Sequence, residues 1–462
     1  MQDKYTSMKN VKAHIDFAET VGHMDFKNHS LGIGGVNPAP VPAKIVKGTA
    51  KLKPRLIRIF IQEFFFIEKD NGELDFTALD KYMRSVHETG ADIMASICIK
   101  PPSVYPVVDE TVWKPNDIKR WQYIIGEMAK RYSVDNKYVT HWGVANEINI
   151  GEWGGCPYKI DTAEDYFEYY KMTTEPILKV CPEVKVGGPS YAGIGEDCYR
   201  FFDGFINLCA KEKVQLDFIT YNVYSDSPDY HVDGALCVKK VADKYNSAIE
   251  IYVTELNVGL DNATSIEEKA YYPKKASGLG AIIQEFHKRA DFLNTFQYHI
   301  YDQFCDPNDF KPFYARHRYM AEHWNDAVHR LGLFDENGRP RPQYFLYSML
   351  YNMAENEVSA KIDDCDDIRI NASYNGRYNT IFMTNYNEKS TEDLTMFLKF
   401  KNAREGKTRL TVYRIDDDMM WDEDTCELIP IEDRTAYVHE DFHFSIYVPS
   451  DCVVMIVFDY DT

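Results

Sequence analysis

The 462-residue chain carries ten cysteines but no Cys-x-x-Cys and no metal-finger spacing, which removes zinc-ribbon and dithiol redox folds. Cys98 in "ASICIK" and Cys452 in "SDCVVMIVF" sit in apolar runs, where a thiol behaves as a small hydrophobe. Such scattered thiols fit a reducing compartment. The opening "MQDKYTSMKN" lacks the apolar stretch of a secretory signal, and no run approaches the roughly twenty apolar residues of a membrane span. A cytoplasmic location without a membrane partner is therefore the expectation, although a chain trimmed of its leader would read the same. Positive charge is also short. Lys and Arg number 52 against 72 Asp and Glu, a net charge of -20, which argues against nucleic acid or an anionic bilayer as partner. There is no G-x-G-x-x-G, Walker or H-E-x-x-H pattern, and "GIGG" at 32–35 is too short to count. Neither a cofactor nor a metal is expected. Internal repeats and low-complexity linkers are missing too, so any domains should pack closely.

What is present is a globular composition, 45% hydrophobic and 27% charged, with 14% aromatic residues led by tyrosine. Eight short apolar runs recur over the first 350 residues, at 30–35, 55–61, 91–99, 139–145, 184–188, 216–224, 249–256 and 292–300. They are apolar along their length rather than alternating, as parallel strands covered on both faces must be. Helical patterns fill the gaps. "DFTALDKYMRSVHETG" offers Asp75 as N-cap, a face of Phe76, Leu79, Met83 and Val86, and Gly90 as stop. "NDIKRWQYIIGEMAKRY" repeats the pattern with Ile118, Trp121, Ile125 and Met128. Eight strand–helix units imply an α/β fold, a closed (β/α)8 TIM barrel. From about residue 357 the texture turns to alternating strands, with turn signals at Asn375–Gly376 and Pro449–Asp451. The expectation is a barrel over residues 1–355 and a C-terminal β-sandwich over 356–462. Residues 10–20, which include the alternating "VKAHIDFAET" (11–20), are a candidate extra strand for the sandwich.

In such a barrel, reactive groups come from the C-terminal ends of strands. "HWGVANEINIGEW" (141–153) places Asn146 and Glu147 at the end of the fourth strand, where a carboxylate is costly to desolvate without a partner or a task. The seventh strand, in "IYVTELN", ends in Glu255, and strands four and seven face each other across the mouth. Two carboxyls across a pocket suit glycosidic bond cleavage. One, kept neutral, protonates the leaving oxygen, and the other attacks the anomeric carbon or activates water.

These residues give the chain a resemblance to the retaining glycoside hydrolases of clan A, most closely family 39, the β-xylosidase and α-L-iduronidase family. It rests on Arg58 in "LIRIF", on Asn146, Glu147 and Asn149, on "VGGPS" (186–190), on "TEL" (254–256), on "GLFDENGRPRPQYFLYSML" and on the appended sandwich. The resemblance implies Glu147 as acid/base, Glu255 as nucleophile, Asn146 as partner of the sugar 2-hydroxyl, and Arg58 as the group that orients the nucleophile. It implies an aromatic hydroxyl, Tyr224, beside that nucleophile. The family usually reads Trp-Asn-Glu-Pro, whereas Ala145 and Ile148 flank the pair here. Asn222 stands where a His is common. Tyr298, His299 and Tyr301 stand near where a Trp platform is often found, and Trp153 is a further candidate for stacking on sugar.

The function expected is a retaining glycoside hydrolase acting on a short oligosaccharide or glycoside, β-xylosidase-like by default. The alternative is a non-catalytic carbohydrate-binding protein on a degenerate hydrolase scaffold; a metal-dependent barrel hydrolase is a third reading. His317, His323 and His329, with Glu322 beside them, read as solvated or packing residues rather than ligands. A carbohydrate is the expected partner, and homo-oligomerisation stays open. The long stretches 225–248 and 302–330 favour a pocket and exo action.

Overall fold

The computed structural model describes residues 9–260, 272–326, 329–389 and 391–461. The first eight residues, part of the opening segment read above, lie outside them, as do 327–328 of the 302–330 stretch. Eight parallel strands close into a barrel in sequence order: β2 (His29–Gly32), β3 (Leu56–Gln62), β4 (Asp92–Cys98), β5 (Val139–Val144), β6 (Lys185–Ala192), β7 (Phe218–Tyr224), β8 (Glu250–Asn257) and β9 (Leu293–Tyr298). Pairing of His29–Gly32 with Thr295–Tyr298 shuts the ring. All eight apolar runs are barrel strands, since each is sandwiched between the barrel interior and a helix. At Gly187 in β6, an added Cβ would meet the Phe218 carbonyl at 2.1 Å, so only glycine lets β6 lie this close to β7.

Side chains two apart share a face of a strand, and the barrel interior is layered accordingly. Leu56, Met94, Phe218, Tyr252 and Phe296 form a small apolar cluster at the N-terminal end. Two residues further along, Arg58, Ser96, Thr220 and Thr254 make a polar layer, and above it the mouth opens. The helix expected after Asp75 spans Thr77–His87, and Asp75 Oδ1 accepts from the Thr77 N–H at 2.9 Å. The next spans Ile118–Ala129, capped by Asp117. Ile118 is not on its buried face: it sits in the first turn, 41% exposed, and Ile124 takes its place beside Trp121, Ile125 and Met128. No helix among the described residues is long and apolar enough to cross a membrane.

A mixed nine-stranded sheet forms the second layer system. It contains β1 (Lys9–His23) and strands from Asn356 onward, including β10 (Asn356–Ile362), β11 (Ile368–Tyr374), β12 (Tyr378–Asn385), β13 (Leu394–Lys401) and, last in the chain, Cys452–Asp459. β1 bridges β10, antiparallel, and β13, parallel. Phe400 on β13 and Phe458 on the last strand have four strands between them in the sheet, yet their rings lie 5.6 Å apart. The sheet thus folds over a core of its own, as a sandwich.

Candidate active site

β5 ends in a pair of left-handed residues, Ala145 (φ 67°) and Glu147 (φ 44°), on either side of Asn146. Left-handed backbone is costly for non-glycine residues, about 1–3 kcal/mol each, and persists where its surroundings hold it. Here Ala145 N–H donates to Ile97 O (3.1 Å) and Glu147 N–H to Ser190 O (2.8 Å), while Glu147 O accepts from Ile150 and Gly151. The bend lets two consecutive side chains serve the site. The Gly151–Gly154 turn that follows packs against Glu147 so closely that a Cβ on Gly154 would lie 2.3 Å from Glu147 Oε2.

Glu255 reaches the site through a different irregularity. Asn222 on β7 pairs with Glu255, although Tyr221 pairs with Val253, so the ladder slips by one residue at Thr254. A bulge of this kind re-aims side chains. Thr254 Oγ1 lies 2.8 Å from Asn222 Oδ1, and the neighbouring Glu255 also turns inward. Its Oε1 accepts from Arg58 (3.0 Å) and its Oε2 from the Tyr224 hydroxyl (2.6 Å).

Arg58 is 1% exposed and uses all five of its N–H donors. They go to Ser96 Oγ, Thr254 O, Glu255 Oε1, Asn146 Oδ1 and Ser190 Oγ, with the guanidinium 4.3 Å above Phe60. One cation thereby fixes both the Glu255 carboxylate and the Asn146 amide.

Glu147 and Glu255 line one cavity of about 310 Å3. Asn222 Nδ2 donates to Glu147 Oε1 at 2.8 Å, and Asn222 lies opposite Glu255 in the β7–β8 ladder, so one side chain stands close to both carboxyls. Burial pushes Glu147 well above the usual carboxylate range, the Glu255 charge adds to this, and the Asn222 hydrogen bond and the more distant Arg58 charge oppose it. Burial raises Glu255 as well, but against it stand the Arg58 charge and hydrogen bonds from Tyr224 and Arg58. The better-compensated Glu255 is the first of the pair to ionise, and its charge then keeps Glu147 protonated.

The other residues singled out in the sequence divide. Asn222, Tyr224 and Trp153 line the cavity. Asn146 lies behind it, buried, with Nδ2 donating to Gly154 O at 2.7 Å and one amide hydrogen left over. Arg58 is not in reach of a substrate, because no donor is free. Tyr298 is 1% exposed, its hydroxyl has no partner, and its ring borders a cavity of about 10 Å3 next to Trp324. His299 is turned away: its ring nitrogens face the carbonyls of Tyr301 (2.6 Å) and His329 (3.2 Å), and it does not line the cavity. Conversely, His323, Trp324 and His329 do line it, with Ile150, Tyr230 and Leu260. The helix bearing His323 ends at Asn325, and the His323 and His329 rings lie 4.6 Å apart. His329 Nδ1 faces the His323 carbonyl at 2.9 Å, and burial lowers its pKa to about 4. Among the described residues, no group of three or more His, Cys, Asp or Glu is arranged to hold a metal ion. A larger cleft of about 710 Å3 lies where the Pro273–Arg289 helix meets the sandwich, and two structural pairs, His287–Glu357 and Arg369–Glu285, cross it.

A closed parallel barrel with two carboxyls at the mouth, one clamped by an arginine and the other left protonated, defines a barrel protein equipped for acid–nucleophile chemistry. The family model of glycosyl hydrolases family 39 matches residues 60–420, and the chain belongs to that family. A β-xylosidase of Geobacillus stearothermophilus is 25% identical over 154 residues, 31% of this chain and 28% of the relative. One from Caldicellulosiruptor saccharolyticus is 28% identical over 166 residues, 31% of each. These alignments thus span less than a third of either relative. Among solved structures, a monomeric β-xylosidase from Caulobacter crescentus and a glucosidase from Croceicoccus marinus each superpose with a TM-score of 0.75 at 16% identity. Each alignment covers 98% of this chain and 100% of the other, a likeness of fold.

Proposed function

We propose that the protein is a retaining glycoside hydrolase that cleaves a short oligosaccharide or glycoside by double displacement. Glu147, as acid, protonates the glycosidic oxygen while Glu255 attacks the anomeric carbon, forming a glycosyl ester and releasing the aglycone. Glu147, now ionised, then takes a proton from water, whose oxygen displaces Glu255 and regenerates both groups. The observation that carries this reading is the unequal support of two carboxyls in one cavity: Arg58 and Tyr224 on Glu255, burial and a neighbouring charge on Glu147. Arg58 and Asn146 position the pair, Asn222 and Tyr224 border the sugar, and Trp153 stands nearer the rim. Residues 1–355 supply the catalytic barrel and 356–462 the accessory sandwich, to which β1 contributes.

A β-xyloside is the default substrate, supported by the names of two relatives. A reducing cytoplasm is supported by the ten cysteines, all free. The test is a panel of aryl glycosides with the product anomer followed by NMR. Glu255→Gln should abolish turnover, and azide should restore activity to Glu147→Ala on activated substrates, trapped as a glycosyl azide of retained configuration. Normal rates in both variants would refute the assignment.

A further inference from the structure

The walls of the cavity differ in chemistry with depth. At its base are the carboxyls, Asn222 and Tyr224, with Glu255 only 4% exposed. At its rim are Ile150, Trp153, Leu260 and Tyr230, each 38–47% exposed. Ile150 belongs with Glu147: a Cβ on Gly154 would meet Glu147 Oε2 at 2.3 Å and Ile150 Cγ1 at 3.1 Å, so both side chains close over the same point. Trp153 lies on the same turn and stacks edge-on against Tyr319, itself 51% exposed, with centroids 4.5 Å apart.

The general acid must touch the oxygen of the leaving group, so what surrounds its carboxyl surrounds the aglycone. A sugar there would bring several hydroxyls that need partners, and unmet partners are costly. The described lining offers ring nitrogens, on His323, Trp324 and His329; the Tyr230 hydroxyl already donates to Ile194 O at 3.2 Å, and the His329 Nδ1 proton to the His323 carbonyl. The exposed side chains at the rim are mainly apolar. Resting on the hydrolase reading above, the geometry points to glycosides of apolar, aryl-bearing alcohols as the substrate class, with Ile150 and Trp153 as the residues that select the aglycone.

The test compares three substrates sharing the glycone preferred in the aryl panel: the 2-phenylethyl glycoside, the methyl glycoside and the homodisaccharide. Phenylethanol is a poorer leaving group than a sugar hydroxyl, so any preference for it reports binding. Burial of the phenyl ring should raise kcat/KM over the methyl glycoside by about ten- to a hundredfold, mostly through KM, and also place it above the disaccharide. Ile150→Asn and, separately, Trp153→Ala should each lower the phenylethyl-to-methyl ratio by about tenfold; Ile150 is exposed enough for the first to fold normally. A disaccharide preferred over the phenylethyl glycoside, or a ratio unmoved in both variants, would overturn this inference alone. No turnover of any glycoside would overturn it together with the hydrolase reading.

Discussion

Gly154→Ala isolates the placement of the acid from its chemistry. The new Cβ would stand 2.3 Å from Glu147 Oε2 and 2.4 Å from Glu147 Cβ, where ordinary contact begins at 3.4 Å. The Glu147 Cβ is anchored to the backbone, so the clash is not relieved by rotating a flexible tip. The acid must move by about 1 Å, and a misplacement of that size costs on the order of a hundredfold in rate. Only bond cleavage that needs the acid should suffer. For alkyl glycosides, with poor leaving groups, kcat/KM should fall by about a hundredfold, whereas a 2,4-dinitrophenyl glycoside, which leaves unprotonated, should lose little in the same step. Overpacking adds a stability loss of about 1–3 kcal/mol, read as a lower Tm. Equal losses on both substrates, or none on either, would refute the proposed contact between the Gly151–Gly154 turn and the acid.

Three other outcomes follow from named contacts. Tyr224→Phe removes a hydrogen bond that favours ionised Glu255; the acidic limb of kcat/KM, set by this carboxylate, should rise by about 1–2 pH units, and a limb that stays put would show that Tyr224 does not tune the nucleophile. Glu152, 2% exposed, accepts from the N–H groups of Ala315 and Arg316 at 2.8 Å each and so ties the segment bearing Trp324 to the turn beside Glu147. Glu152→Ala should raise KM by about tenfold with a smaller change in kcat, measured on the aryl substrate. Burial lowers the pKa of His29 to about 3 from 6.5, so the unfolded chain takes up the proton first as pH falls. Stability is full above pH 6.5 and is lost toward pH 3, by about 2 kcal/mol at pH 5; His29→Gln, which can still bond Thr295, should flatten the fall of Tm between pH 7 and 5.

The division between sequence and structure is clearest at the two glutamates. Continuous apolar runs marked all eight barrel strands and put Glu147 and Glu255 at the ends of the fourth and seventh, because a strand buried on both faces writes its burial into consecutive residues. Helical periodicity misplaced Ile118, whose exposure is set by its position in the first helical turn, and nothing local marked His323 and His329 as residues that line the cavity. What no local pattern carries is the slip at Thr254 that turns both Thr254 and Glu255 inward, or the left-handed residues that aim Asn146 and Glu147. Nor does it show that Arg58, though called as a site residue, has all five donors spent on partners from β4 to β8. Those features exist only when strands far apart in the chain hold one another in register. The sequence by itself settled which carboxyls stand at the mouth; their unequal protonation was decided by the tertiary structure, since burial and the distance to one arginine are properties of the closed barrel.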